Sequence, residues 1–143
     1  MSWEYNFLDH TADIAVDIKA DTLDELFMAS AYSWRDYISD DDNSFSSEKH
    51  LLDLSENNLE VLLVSFLSEL NFLYQSESWM MDKVNSLIIT EKNDSWNLNA
   101  EILGQSFNRK EMNLKTEIKA ITYHQMEIKE QQGRFSTRIV FDI

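Results

Sequence analysis

The chain has 143 residues, of which 43% are hydrophobic and 12% aromatic, a composition that supports one globular domain with a sizeable core and excludes a disordered chain. Its formal net charge of -14, from 26 acidic against 12 basic residues, argues against direct binding to nucleic-acid phosphates and suits hard cations or basic protein partners. Without a cysteine there can be no disulfide, thiolate zinc site or cysteine nucleophile.

The first residues lack the basic-then-apolar layout of a signal peptide, and no apolar run approaches the roughly 20 residues of a bilayer span. A cytoplasmic protein with no membrane partner is therefore expected. Residues 3–8 read as a strand, and residues 13–20 as a clearer one. There Ile14, Val16 and Ile18 alternate with Ala15, Asp17 and Lys19, the period of two of a half-buried strand. Between the strands, Asp9, His10, Thr11 and Asp13 place two carboxylates and an imidazole within five positions. Oxygen ligands of this kind suit calcium or magnesium, and the same carboxylates can also simply cap a turn.

Thr22 and Glu25 form a capping box, followed by Leu23, Leu26, Phe27, Ala31, Trp34 and Ile38 at helical spacing; a helix is expected over about residues 23–37. The acidic run Asp40-Asp41-Asp42-Asn43 then reads as a solvated loop, since it lacks the glycine an EF-hand calcium loop requires. A short strand over residues 49–54 precedes a second helix capped by Asn57 with Glu60 three residues on. Its stripe of Leu59, Leu62, Leu63, Phe66, Leu67, Leu70, Leu73 and Tyr74 is the strongest periodic signal in the chain.

The remainder is β-rich. Residues 84–90 and 96–102 form a hairpin about a turn at 92–95; residues 104–114 read as polar and irregular; residues 116–129 and 135–143 read as two more strands about a turn at 131–133. The expected order is ββαβαββββ over residues 1–143: a single α+β domain, a mainly antiparallel sheet covered on one face by two helices.

Five blocks in one order carry a resemblance: Phe7-Leu8-Asp9-His10-Thr11-Ala12-Asp13; Thr22-Leu23-Asp24-Glu25-Leu26-Phe27; the helix ending Ser68-Glu69-Leu70; Ile118-Lys119-Ala120-Ile121-Thr122-Tyr123-His124; and Val140-Phe141-Asp142-Ile143. In this set the chain closely resembles the archease family over essentially its whole length. The resemblance implies a non-enzymatic, chaperone-like protein of tRNA processing. Such proteins activate the tRNA-splicing ligase that joins RNA 3′-phosphate or 2′,3′-cyclic phosphate ends to 5′-hydroxyls. They promote guanylylation of a ligase histidine and multiple turnover. An older view of the family is that of a chaperone or modulator of protein–nucleic acid interaction.

The resemblance also implies a divalent metal site, with calcium the expected ion and with ligands that fall on Asp13, Asp142 and the α-carboxylate of Ile143. If the last strand lies beside the start of the second, these oxygen-bearing groups converge and repel one another unless a cation is present. Asp9, His10, Lys119 and His124 are candidates for supporting the site or touching a partner. Ideal alternation sends Lys119 and His124 to opposite faces, so both line one site only if the strand is bulged. The chain departs from the family at Gln105, Asn108 and Met112, where Glu, Asp and His are usual; the changes to Gln and Asn keep shape and remove charge. Two other functions fit less of the pattern: a metal-dependent phosphohydrolase using Asp9, His10, Asp13 and Asp142, and a general chaperone with an exposed apolar patch.

Overall fold

Every strand pairs antiparallel in the computed structural model, which describes residues 2–9, 13–39, 48–108, 117–122 and 126–143. The elements are β1 (Trp3–Asp9), β2 (Asp13–Ala20), α1 (Leu23–Ile38), β3 (Glu48–Glu56), α2 (Leu59–Glu77), β4 (Trp79–Lys92), β5 (Ser95–Ser106), β6 (Ala120–Thr122), β7 (Lys129–Gln131) and β8 (Arg134–Asp142). The fold is α+β with two helices, as expected. The strands divide between two sheets. The larger runs β1-β2-β8-β6 with β7 also on β8, and the smaller runs β3-β5-β4.

The helices form the layer that joins the sheets. α1 packs on β1, β2 and β8 of the larger sheet and on β4 of the smaller. α2 packs on β3, β4 and β5 and reaches across to β6. The apolar stripe of α2 is the centre of this layer: Leu62, Leu63, Phe66 and Leu67 are fully buried. Each such side chain contributes about 1.5–3 kcal/mol of transfer free energy, before the entropy of ordering is subtracted.

Local chemistry explains the element ends. The Thr22 hydroxyl accepts from the Glu25 amide at 3.1 Å, closing half of the capping box. The other half differs: the Glu25 carboxylate takes the Thr22 hydroxyl and the Ser2 amide and hydroxyl, tying the start of the chain to α1. The cap of α2 is Asn58 rather than Asn57, its side chain accepting from the Val61 amide at 2.8 Å. Glu60 is thereby released from a capping role and instead accepts from the Ile128 amide at 2.9 Å. The hairpins β4–β5 and β7–β8 turn on Asn93-Asp94 and Gln132-Gly133, all four at positive φ, the backbone that matches strand twist in two-residue loops.

Two expected boundaries move. β4 begins at Trp79, not near Val84, because register shifts around Asp82 and Asn85 interrupt its alternation. Gly104 belongs to β5, not to an irregular stretch: a Cβ there would meet the Met80 carbonyl oxygen and the Trp79 ring, so only glycine lets Trp79 lie over the strand. The expected single strand over residues 116–129 is two short pieces, β6 and β7, both on β8. The Ile128 amide between them goes to Glu60, and the Glu127 carbonyl accepts from the Thr137 hydroxyl at 3.1 Å, so neither group serves a strand ladder.

α1 also closes an edge. Three of its side chains bond the backbone of β4 in sequence: Asp24 accepts from the Ile89 amide, Tyr32 accepts from the Val84 amide, and Arg35 donates to the Met81 carbonyl. An outer strand that would otherwise offer free amides and carbonyls to another chain is covered by a helix of the same chain.

Candidate functional site

On the larger sheet, Ile14, Val16 and Ile18 of β2 stand opposite Phe141, Ile139 and Thr137 of β8, and all six are buried against the helices. The alternate residues therefore face away from the helix layer. Asp13, the first residue of β2, stands directly opposite Asp142, the last of β8. Ala120, the first of β6, stands opposite Asp142 from the other side. Three strand ends thus meet in one row on the outer face. Directly paired residues of an antiparallel ladder have Cα atoms about 4.5–5.5 Å apart, and like charges so placed repel. Asp13 is half-buried and Asp142 exposed.

The segment before β6 is locked to this row from behind. The Lys119 amide donates to the Asp142 carbonyl at 2.7 Å. The preceding carbonyl, of Ile118, accepts from the Asn71 amide group at 2.9 Å and also from Gln75. Asn71 in turn accepts from the Trp34 indole at 3.0 Å. A buried chain of hydrogen bonds therefore runs from α1 through α2 to the end of β8. Sequence reasoning missed Asn71, whose only signal was a polar residue among Leu70, Leu73 and Tyr74 of the buried stripe. Ile143, the residue after Asp142, packs against the core.

Asp13, Asp142, Lys119 and Ile143 are brought together. Lys119 and Ala120 are both exposed while Ile118 and Ile121 are both buried, so the expected alternation slips at the entry to β6. Asp9 pairs with Ile14, one step from the row. His10, His124 and Met112 lie outside the described residues. Gln105 sits in β5 opposite Met80, in the other sheet from Asp142. Among the described residues no three Asp, Glu, His or Cys side chains gather as a metal set. The donors at the row are oxygens, the kind that calcium or magnesium takes.

Two rungs along the same face, Arg138 holds Asp17 through two hydrogen bonds of 2.6 and 3.0 Å. This guanidinium keeps the Asp17 carboxyl below its ordinary value of 3.8, chiefly by the hydrogen bond, and the Arg138 pKa rises in return. A carboxylate made more acidic by folding stabilises the fold above its unfolded pKa and loses that contribution as the pH falls through the folded value. Arg138→Gln should therefore lower stability slightly near neutral pH, both groups being well exposed, and the difference should shrink below about pH 3.8. Urea denaturation of both proteins across that range measures it; a difference independent of pH would overturn the assignment.

A profile of the Archease protein family matches residues 5–143. The sequence is 32% identical over 140 residues to the protein archease of Methanosarcina barkeri, covering 98% of this chain and 96% of that one. It is 34% identical over 142 residues to the protein archease of Thermococcus kodakarensis, covering 99% and 98%. The solution structure of Methanobacterium thermoautotrophicum protein 1598 superposes with a TM-score of 0.83 at 24% identity, over 97% of this chain and 98% of that one. The crystal structure of an archease, a possible chaperone, from Thermotoga maritima gives 0.60 at 21% identity over 95% and 94%. At those identities the two structures speak for the fold.

Proposed function

The chain belongs to the archease family, and on that premise we propose that it serves an RNA ligase as a non-enzymatic protein cofactor. The ligase is of the kind that joins 3′-phosphate or 2′,3′-cyclic phosphate ends to 5′-hydroxyls. The cofactor promotes guanylylation of the ligase histidine and so allows multiple turnover. The observation that carries the reading is the row at the three strand ends, where Asp13 and Asp142 are held opposite each other at the outer surface. Folding places two like charges in register there, a cost that a bound cation offsets.

Asp13, Asp142 and Ile143 would hold a divalent cation, with calcium the best match to an all-oxygen set. When bound, the ion would offset most of the negative charge of the row. Lys119 stands beside it on the exposed side, fixed through its own amide to Asp142. Asp9, His10 and His124 support the site or touch the partner. The acidic surface, at net charge -14, steers the chain toward a basic active-site cleft, so the encounter is fast and weakens with salt. No helix of the described residues is long and apolar enough to cross a membrane, which suits a cytoplasmic role.

The test is guanylylation of the purified ligase with and without the chain. A faster rate and turnover beyond one RNA per ligase are expected with it. An unchanged rate and unchanged turnover overturn the reading.

A further inference from the structure

We propose that the exposed face of α2 around Phe72 is a docking surface for a protein partner, which inserts an arginine side chain between α2 and the neighbouring ends of β3 and β4. Phe72 is 50% exposed on a helix whose other aromatic residues are buried. Two concavities meet at it. One has a volume of about 260 Å³ and is lined by Phe72 together with Lys119 and Ala120, the residues beside Asp142. The other has a volume of about 400 Å³ and lies between α2, β3 and β4.

The larger cavity has a specific chemistry. Glu48, Glu69 and Glu77 line it, with the rings of His50, Phe72 and Trp79. The His50 and Trp79 rings lie 5.5 Å apart, tilted by 45°. Glu69 and Phe72 are three residues apart, on one face of α2, and Glu77 stands further along the same helix. Glu48 is held in place by the Ser106 amide and hydroxyl at 3.1 and 3.3 Å. Among the described residues the one cation on the wall is Lys49, whose ammonium is engaged by Glu101 at 3.3 Å. Carboxylates beside aromatic faces fit a guanidinium, which stacks on rings and bonds carboxylates in fork geometry. An ammonium satisfies the charge alone. Charge complementarity therefore selects a basic protein segment, and the preference for arginine over lysine is the distinguishing mark.

The smaller concavity extends from Phe72 to Lys119 and Ala120, the residues beside Asp142. The inference rests on the proposed function for what the partner does, not for what the cavity binds.

The experiment titrates the isotope-labelled full chain with a blocked Gly-Arg-Gly peptide, and separately with Gly-Lys-Gly, while following the Trp79 indole and Phe72 amide resonances. Saturable shifts at both sites are expected with the arginine peptide, at least about fivefold weaker with the lysine peptide. The Glu69→Gln/Glu77→Gln double variant should weaken the arginine response by at least about fivefold. Absence of a saturable shift, an equal response to both peptides, or an unchanged response in the double variant overturns the proposal. Calcium titration of the same variant separates the two readings. It should bind calcium as the parent does, so loss of arginine binding leaves the Asp142 row untouched, and failure of calcium binding in the parent leaves the arginine result standing.

Discussion

Calcium should raise the unfolding temperature of the parent chain and leave that of Asp142→Asn and of Asp13→Asn unchanged. The two residues are partners in the β2–β8 ladder, so each variant removes one of two facing charges and keeps the side-chain shape. In the absence of metal, both variants should match or slightly exceed the parent in stability, because like charges directly opposite in a sheet are destabilising. In its presence the order should reverse. A ligand that binds only the folded state stabilises it by RT ln(1 + [L]/Kd), about 2.7 kcal/mol at a hundredfold excess over Kd, and the variants forgo that gain. Stimulation of ligase guanylylation should fall with calcium binding in the same variants. Calorimetric titration with paired thermal melts measures the first part. Parent-like calcium stabilisation in both variants would place the ion elsewhere. A parent that ignores calcium altogether would leave the facing aspartates as a surface pair without a cation.

That crossover in stability is hard to foresee from residue order alone. Periodicity located β2 through Ile14, Val16 and Ile18, and β8 through Ile139 and Phe141, because alternation is a local property. The pairing of Asp13 with Asp142 is a contact across 129 positions, fixed only when the buried faces of both strands align. The family's motif order suggested it; register placed it. The same limit applies to the helix layer. The stripe of α2 was plain, but nothing in it said that the helix bridges two sheets rather than covering one. Asn58 displaced Asn57 as the cap because two adjacent asparagines offer the same side chain, and only the backbone geometry chooses between them. β6 and β7 read as one strand because Glu60 and Thr137, which take polar groups from the joining segment, are remote in sequence.

Asn71→Leu is the substitution away from the acidic row with the largest expected cost. The residue is 6% exposed and joins three elements: it accepts from the Trp34 indole and donates to the Ile118 carbonyl. Leucine fits the apolar surroundings and gains about 0.5 kcal/mol in helix propensity. Against that, the Trp34 indole N–H is left buried without its acceptor and the Ile118 carbonyl retains only Gln75. A buried polar group stripped of its partner costs about 1–3 kcal/mol, so the one stranded donor outweighs propensity and a net loss of about 0.5–2.5 kcal/mol is expected. For a chain of this length that corresponds to a fall of roughly 1–10 °C in melting temperature. Trp34→Phe in the Asn71→Leu background removes the stranded donor and should recover part of the loss, which distinguishes an unmet hydrogen bond from simple mispacking. The effect should also reach the site. With the Ile118 carbonyl loosened, the Lys119 amide no longer has a fixed approach to the Asp142 carbonyl, and its hydrogen exchange should quicken relative to amides at the centre of β8. Stability within about 0.5 kcal/mol of the parent, with unchanged exchange at Lys119, would show that the row is held by the β2–β8 ladder alone.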